Sequence, residues 1–317
     1  MQNSLKLIKQ YNKSMHISRI HVQLNILDHL KFIYEPNWDI NPDSAPYEIV
    51  TQLMDCYYCL PERPDLAALF CWQAINNSYN QYLLADPSTQ RLQDTKGINE
   101  LISHINRNAS KYLPYLMPYY MNINDKTYRY VASYILKGYA IEQSGFSEKY
   151  LSSSYVSFKK KFHTIFSVIA NSYGYAYHAI TSPTLIGNKV SLNINNSDKA
   201  RKIIHSLSLK LKELIENGTA QIDVKYPVSA RQTITFSNED KITFVLFSIL
   251  YASRCNNFHG NVASRLNSIY ANQESFNMYA NIFLLEYITL AISLNEQNIL
   301  SDNSLSKLKE NESLIIQ

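Results

Sequence analysis

Glycine is scarce in this chain, with seven in 317 residues. Phosphate-cradling loops and dinucleotide fingerprints need several glycines where backbone approaches ligand, and no such cluster occurs. A Gly-x-Ser-x-Gly elbow and a His-Glu-x-x-His pair are missing too, which sets aside the hydrolase and zinc-protease chemistries built on them. Charge is thin as well: 18% of residues are Asp, Glu, Lys or Arg, and 25 tyrosines with many asparagines supply polarity instead. The net charge of +4 is compatible with an RNA partner without demanding one. Four cysteines give no disulfide framework. Cys56-Tyr57-Tyr58-Cys59 has half of a zinc spacing, but no second pair and no His-x-x-x-His follows, so these read as core thiols and no metal is expected. Apolar runs at 244–252 and 282–294 are too short to span a bilayer, and the second contains Glu286. With no signal-peptide pattern at the N-terminus, the expectation is a cytoplasmic protein without a membrane partner.

What is present is mostly helical periodicity. Residues 5–34 carry a broad apolar face, and the turn-rich stretch 35–44 closes them off as an N-terminal helical extension, 1–44. Helices are expected at about 47–60, 65–84, 98–106, 126–143 and 147–178. The aromatic segment 112–120, punctuated by Pro114 and Pro118, reads as a separator whose tyrosines either pack or stack on bases. Within 65–84, Leu69, Trp72, Ile75 or Asn76, and Tyr79 fall on one helical face. Lys159-Lys160-Lys161 is the only basic triplet: a solvated face or a contact for backbone phosphates. Alternating patterns at 187–194, 222–226 and 233–236 predict short strands around a helix running from Ser197 to just before Gly218. The fold class is therefore mainly α with a small β-containing insertion at about 185–237. Residues 296–317 read as a polar C-terminal tail that frays.

The densest reactive stretch is Arg254-Cys255-Asn256-Asn257-Phe258-His259-Gly260. It follows an apolar helix opened by Ser237, with Asp240 three residues on as a variant of the capping box. A permanent cation, two amides and an imidazole are suited to a phosphodiester. At about 100° per residue, Arg254 and His259 would sit about 140° apart on a straight helix. A shared site therefore requires the helix to end or bend within 255–260, which Asn and Gly permit. The bland use of both side chains is capping carbonyls at a helix C-terminus.

Arg254-x-x-x-x-His259 with Phe258-His259-Gly260 resembles the Arg-x4–6-His signature of the HEPN superfamily, and Phe70-x-Trp72-x-Ala74-x-Asn76-x-x-Tyr79 resembles the first-helix pattern of some of its families. The residue after the arginine is often polar there and is Cys255 here, which leaves Asn256 for that role. The resemblance implies one HEPN-like helical domain over 45–295, interrupted by the insertion. It also implies a metal-independent endoribonuclease needing no cofactor. RNA carries its own nucleophile, so Arg254 and His259 would be the catalytic residues, with Asn256 and Asn257 orienting phosphate or ribose. Lys159, Lys160, Lys161, Asn76 and Tyr79 are candidates for RNA contact. One histidine does not easily serve both proton transfers, so a homodimer with a composite site is implied, acting on tRNA or single-stranded RNA. The setting implied is a toxin or anti-phage defence effector with a neutralising or regulatory protein. Two readings compete: a non-catalytic HEPN-like module binding RNA, nucleotide or protein, and an unrelated helical adaptor.

Overall fold

The computed structural model describes residues 18, 20, 26–38, 46–89, 91–193, 197–258, 266 and 271–316. It is mainly helical, with two small two-stranded antiparallel sheets. The chain divides into two compact units, one built from Met1–Asn124 with Ser253–Gln317 and the other from Asp125–Ala252.

In the first unit the helices are α1 (Ile26–His29), α2 (Tyr47–Cys59), α3 (Pro64–Ala85), α4 (Asp94–Arg107) and α5 (Ala109–Met121). The second unit begins with α6 (Asp125–Gln143), α7 (Ser153–Lys161), α8 (His163–Ile169), a π-helical turn at Ala170–Gly174 and α9 (Tyr175–Thr181). Its strands are β1 (Thr184–Ile186) paired with β2 (Lys189–Ser191), and β3 (Thr219–Val224) paired with β4 (Ala230–Thr235). Between the pairs runs α10 (Ser197–Asn217), and after them come α11 (Asn238–Thr243) and a π-helix at Phe244–Tyr251. The chain then returns to the first unit with α12 (Ala252–Phe258), α13 (Gln273–Glu296) and α14 (Asp302–Leu308).

In the first unit α3 lies against α2, α4 and α13. Its Ala67, Ala68 and Ala74 are buried there, small side chains that let helix axes approach closely. Buried polar pairs fix the register: Ser78 and Ser293 share a hydrogen bond at 2.6 Å, and the Tyr112 hydroxyl donates to Asn295 at 2.8 Å. By length and composition α13 could cross a membrane, but 89% of its apolar window is buried inside the protein. The run at 282–294 is thus part of a 24-residue core helix, longer than the apolar run alone indicates.

The structure corrects four expectations. Of the helix predicted over 5–34, Ser18 and Ile26–His29 are helical, 30–35 is not, and most of the remainder lies outside the described residues. Residues 296–317 are not a loose tail. Leu300, Leu305, Leu308 and Leu314 are buried, and Asn311 exchanges two hydrogen bonds with the Lys31 backbone at 2.7 and 3.0 Å. The stretch with Pro114 and Pro118 is itself a helix, α5, in which Tyr112, Tyr119 and Tyr120 are buried. Residues 147–178 are not one helix but several short pieces with a π turn.

In the second unit the punctuation matches the sequence. Asn217 ends α10 and Gly218 takes φ +72°, the left-handed conformation glycine tolerates. At the start of α11 the Ser237 hydroxyl accepts from the Asp240 amide, and the Asp240 carboxylate accepts from the Ser237 amide. In the π-helix after α11 all eight residues are buried. Two tyrosines one turn apart on α6 donate to carbonyls within and just after it, Tyr134 to Ser248 at 3.1 Å and Tyr130 to Ala252 at 3.0 Å.

Candidate active site

Arg254 lies in α12, with 22% of its side chain exposed. One guanidinium nitrogen stands 3.4 Å from the carboxylate of Asp94, the first residue of α4. The same carboxylate accepts from the Asn76 amide at 3.2 Å, and the Asn76 oxygen accepts from Asn80 at 3.0 Å. Asn76 and Asn80 are one turn apart on α3. A chain of polar groups, Asn80–Asn76–Asp94–Arg254, thus gathers three helices of the first unit around one cation. Asp94 suits this place because the first turn of a helix offers unpaired amides and a positive dipole end to a carboxylate.

Gly97 explains why α4 comes so near. A Cβ at this position would overlap the ring of Tyr79, so only glycine allows α4 to lie this close to α3. Tyr79 therefore serves packing. Its ring is fully buried, which removes it from the RNA-contact candidates. Asn76, on the same helix and only partly buried, is the member of that face with a polar partner at the site.

Cys255 is 7% exposed and packs in the interior, so a thiol at this position follows from its environment. The Arg254 Nη1 lies 3.9 Å from its sulfur. The α-helical backbone continues through Asn256 and Asn257 to Phe258. The side chains of Asn256 and Asn257, and His259 and Gly260 altogether, lie outside the described residues. Leu266 stands in a turn and residues 271–272 are not helical, so no unbroken helix runs from 240 to 270.

The three lysines of the triplet sit in different surroundings. Lys159 pairs with Glu142 at 2.6 Å, and Lys161 lies 3.8 Å above the ring of Phe247 with its basicity lowered by burial. Lys160 alone of the three is exposed. All three belong to the second unit, whereas Arg254, Asp94 and Asn76 belong to the first.

Among the described residues no group of three His, Cys, Asp or Glu side chains is arranged to hold a metal ion. Cys56 and Cys71 are buried, and the Cys56 thiol donates to the Ala67 carbonyl at 3.3 Å. Burial pushes the Cys71 thiol well above its ordinary value, and that of Cys59 up to about 11, which keeps both protonated near neutrality.

Asp94 and Asn80 are site residues that sequence reading missed. The expected helix began at 98, whereas it begins at Asp94, so a carboxylate in its first turn was read as part of the preceding loop. Asn80 gave none beyond its spacing from Asn76. No family model, curated protein or solved structure matches this chain.

Proposed function

We propose that this protein is a metal-independent endoribonuclease of HEPN type. One observation carries the reading. The two stretches that resemble the superfamily, 70–79 and 254–260, are far apart in sequence, yet Arg254 and Asn76 share the carboxylate of Asp94. Charge distribution adds to it: residues 125–252 hold 16 Lys and Arg against 9 Asp and Glu, while the rest of the chain holds 14 against 17. A polyanion therefore meets its excess of positive charge in the second unit.

In this mechanism the imidazole of His259 takes the proton of a ribose 2′-hydroxyl. The 2′-oxygen then attacks the adjacent phosphorus. The bond from phosphorus to the 5′-oxygen breaks, and that oxygen takes a proton from a second imidazole. Products are a 2′,3′-cyclic phosphate and a 5′-hydroxyl. Arg254 holds the non-bridging oxygens while charge accumulates on them, and Asp94 keeps its guanidinium from swinging into solvent. A second His259, from a second copy of the chain, supplies the other proton transfer, so the working form is a homodimer.

Incubating the protein with tRNA and with a generic single-stranded RNA in excess EDTA tests the proposal. Cleavage abolished by Arg254→Ala and by His259→Ala is the expected result; no cleavage by the unaltered protein overturns it. A strict monomer in sizing chromatography overturns the composite site. A non-catalytic binding module has one observation in its favour, since Arg254 already has a carboxylate partner. Retention of RNA at low salt without cleavage would select that reading.

A further inference from the structure

Asp65 has no place in the chemistry above, yet it is the more deeply buried of the two carboxylates near the 254–266 segment. Only 3% of the residue is exposed. It lies in the first turn of α3, and its two oxygens accept from Nε and Nη2 of Arg63, both at 2.8 Å. One of those oxygens also accepts the backbone N–H of Leu266 at 3.2 Å, across 201 positions of sequence. Leu266 is itself fully buried. A buried carboxylate without partners is costly. Here a bidentate guanidinium, a backbone amide and a helix N-terminus share its charge. The Leu266 amide is thus one of the groups that stabilise the buried charge, and the carboxylate in turn holds that amide.

We infer that Asp65, held by Arg63, is a positioning residue that anchors the chain just downstream of the Arg254-x4-His259 motif. Upstream, Asp94 on α4 holds the Arg254 side chain; downstream, Asp65 on α3 holds the Leu266 backbone. The motif therefore runs between two fixed points, each a first-turn carboxylate on consecutive helices of the same unit. The role assigned in catalysis rests on the ribonuclease reading; the anchoring of Leu266 does not.

The test uses the full chain and two readouts. Asp65→Asn keeps the size and one acceptor oxygen but removes the charge and the bidentate pair. In hydrogen exchange, peptides containing Leu266 should lose protection by about tenfold or more, while those in α4 and α13 keep theirs. If the protein cleaves RNA, kcat should fall by about tenfold with KM within about twofold. Arg63→Lys retains a cation but not the fork, and should give the same change at smaller amplitude. It is also the variant to use if Asp65→Asn does not fold. Wild-type protection at Leu266 in both variants overturns the anchor, and so does a uniform loss of protection through α3, α4 and α13. Absence of cleavage by the unaltered protein overturns the ribonuclease reading alone, and the exchange result still decides the anchor.

Discussion

Asp94 is in neither stretch that resembles a known family, yet it governs how Arg254 is presented. Replacing it with asparagine removes the charge while leaving an oxygen for Asn76. Under the ribonuclease reading, kcat for RNA cleavage falls by about tenfold with little change in KM, because the guanidinium loses its orientation and not its charge. Single-turnover rates across substrate concentrations check this. Glu286 makes a separate case at the same scale. Its carboxyl is buried in α13, one oxygen has no hydrogen-bond partner, and burial holds its pKa well above the ordinary carboxylate value. The folded state therefore keeps a proton that the unfolded state releases near pH 4.5. This group's contribution is fully present below that pH and is lost as pH rises towards the folded-state value. Glu286→Gln should flatten that decline, giving a higher melting temperature than wild type at alkaline pH and little difference at pH 4. Arg254 and Asn76 were legible in the sequence because each belonged to a pattern. Asp94, Asp65 and Arg63 were not, because a carboxylate in a first helical turn looks like ordinary capping until its distant partner is known.

Helix ends were read well where a local device marks them, as with Ser237 and Asp240 at the start of α11 and Gly218 after α10. Where tertiary packing decides, the reading failed. In α5, Pro114 and Pro118 lie one turn apart away from the most buried face, while Tyr112, Leu116, Tyr119 and Tyr120 bury enough surface to keep the segment helical. The π-helix at Phe244–Tyr251 left no mark either, since eight consecutive buried residues carry no periodicity to reveal a changed register. Contact between α3 and α4 depends on Gly97 in the same hidden way. Gly97→Ala forces the Tyr79 ring or the helix itself to move, and should destabilise the protein by about 1–3 kcal/mol. Under the ribonuclease reading it also slows cleavage by parting Asp94 from Asn76, so thermal melting and the RNA assay together report the change.

At the scale of the whole chain, the mainly helical class and the insertion with two strand pairs agree with the sequence, whereas the partition does not. Residues expected as a frayed tail form part of the first unit, with Leu300, Leu305, Leu308 and Leu314 buried; in the sequence these leucines are outnumbered by polar neighbours and do not stand out as a core. Ending the chain at residue 297 removes these four buried leucines, on the order of 6 kcal/mol of apolar burial. That is comparable with the entire stability of a domain. The expected outcome is a first unit that no longer melts cooperatively, read by circular dichroism and by protease sensitivity of α2 and α3. Interleaving has a further consequence for synthesis. Asp94 leaves the ribosome 160 residues ahead of Arg254, with the whole of 125–252 in between. A nascent chain therefore cannot pair Asp94 with Arg254 until the intervening unit has been made. Under the ribonuclease reading, RNA meets no complete site on a growing chain before Arg254 has joined Asp94.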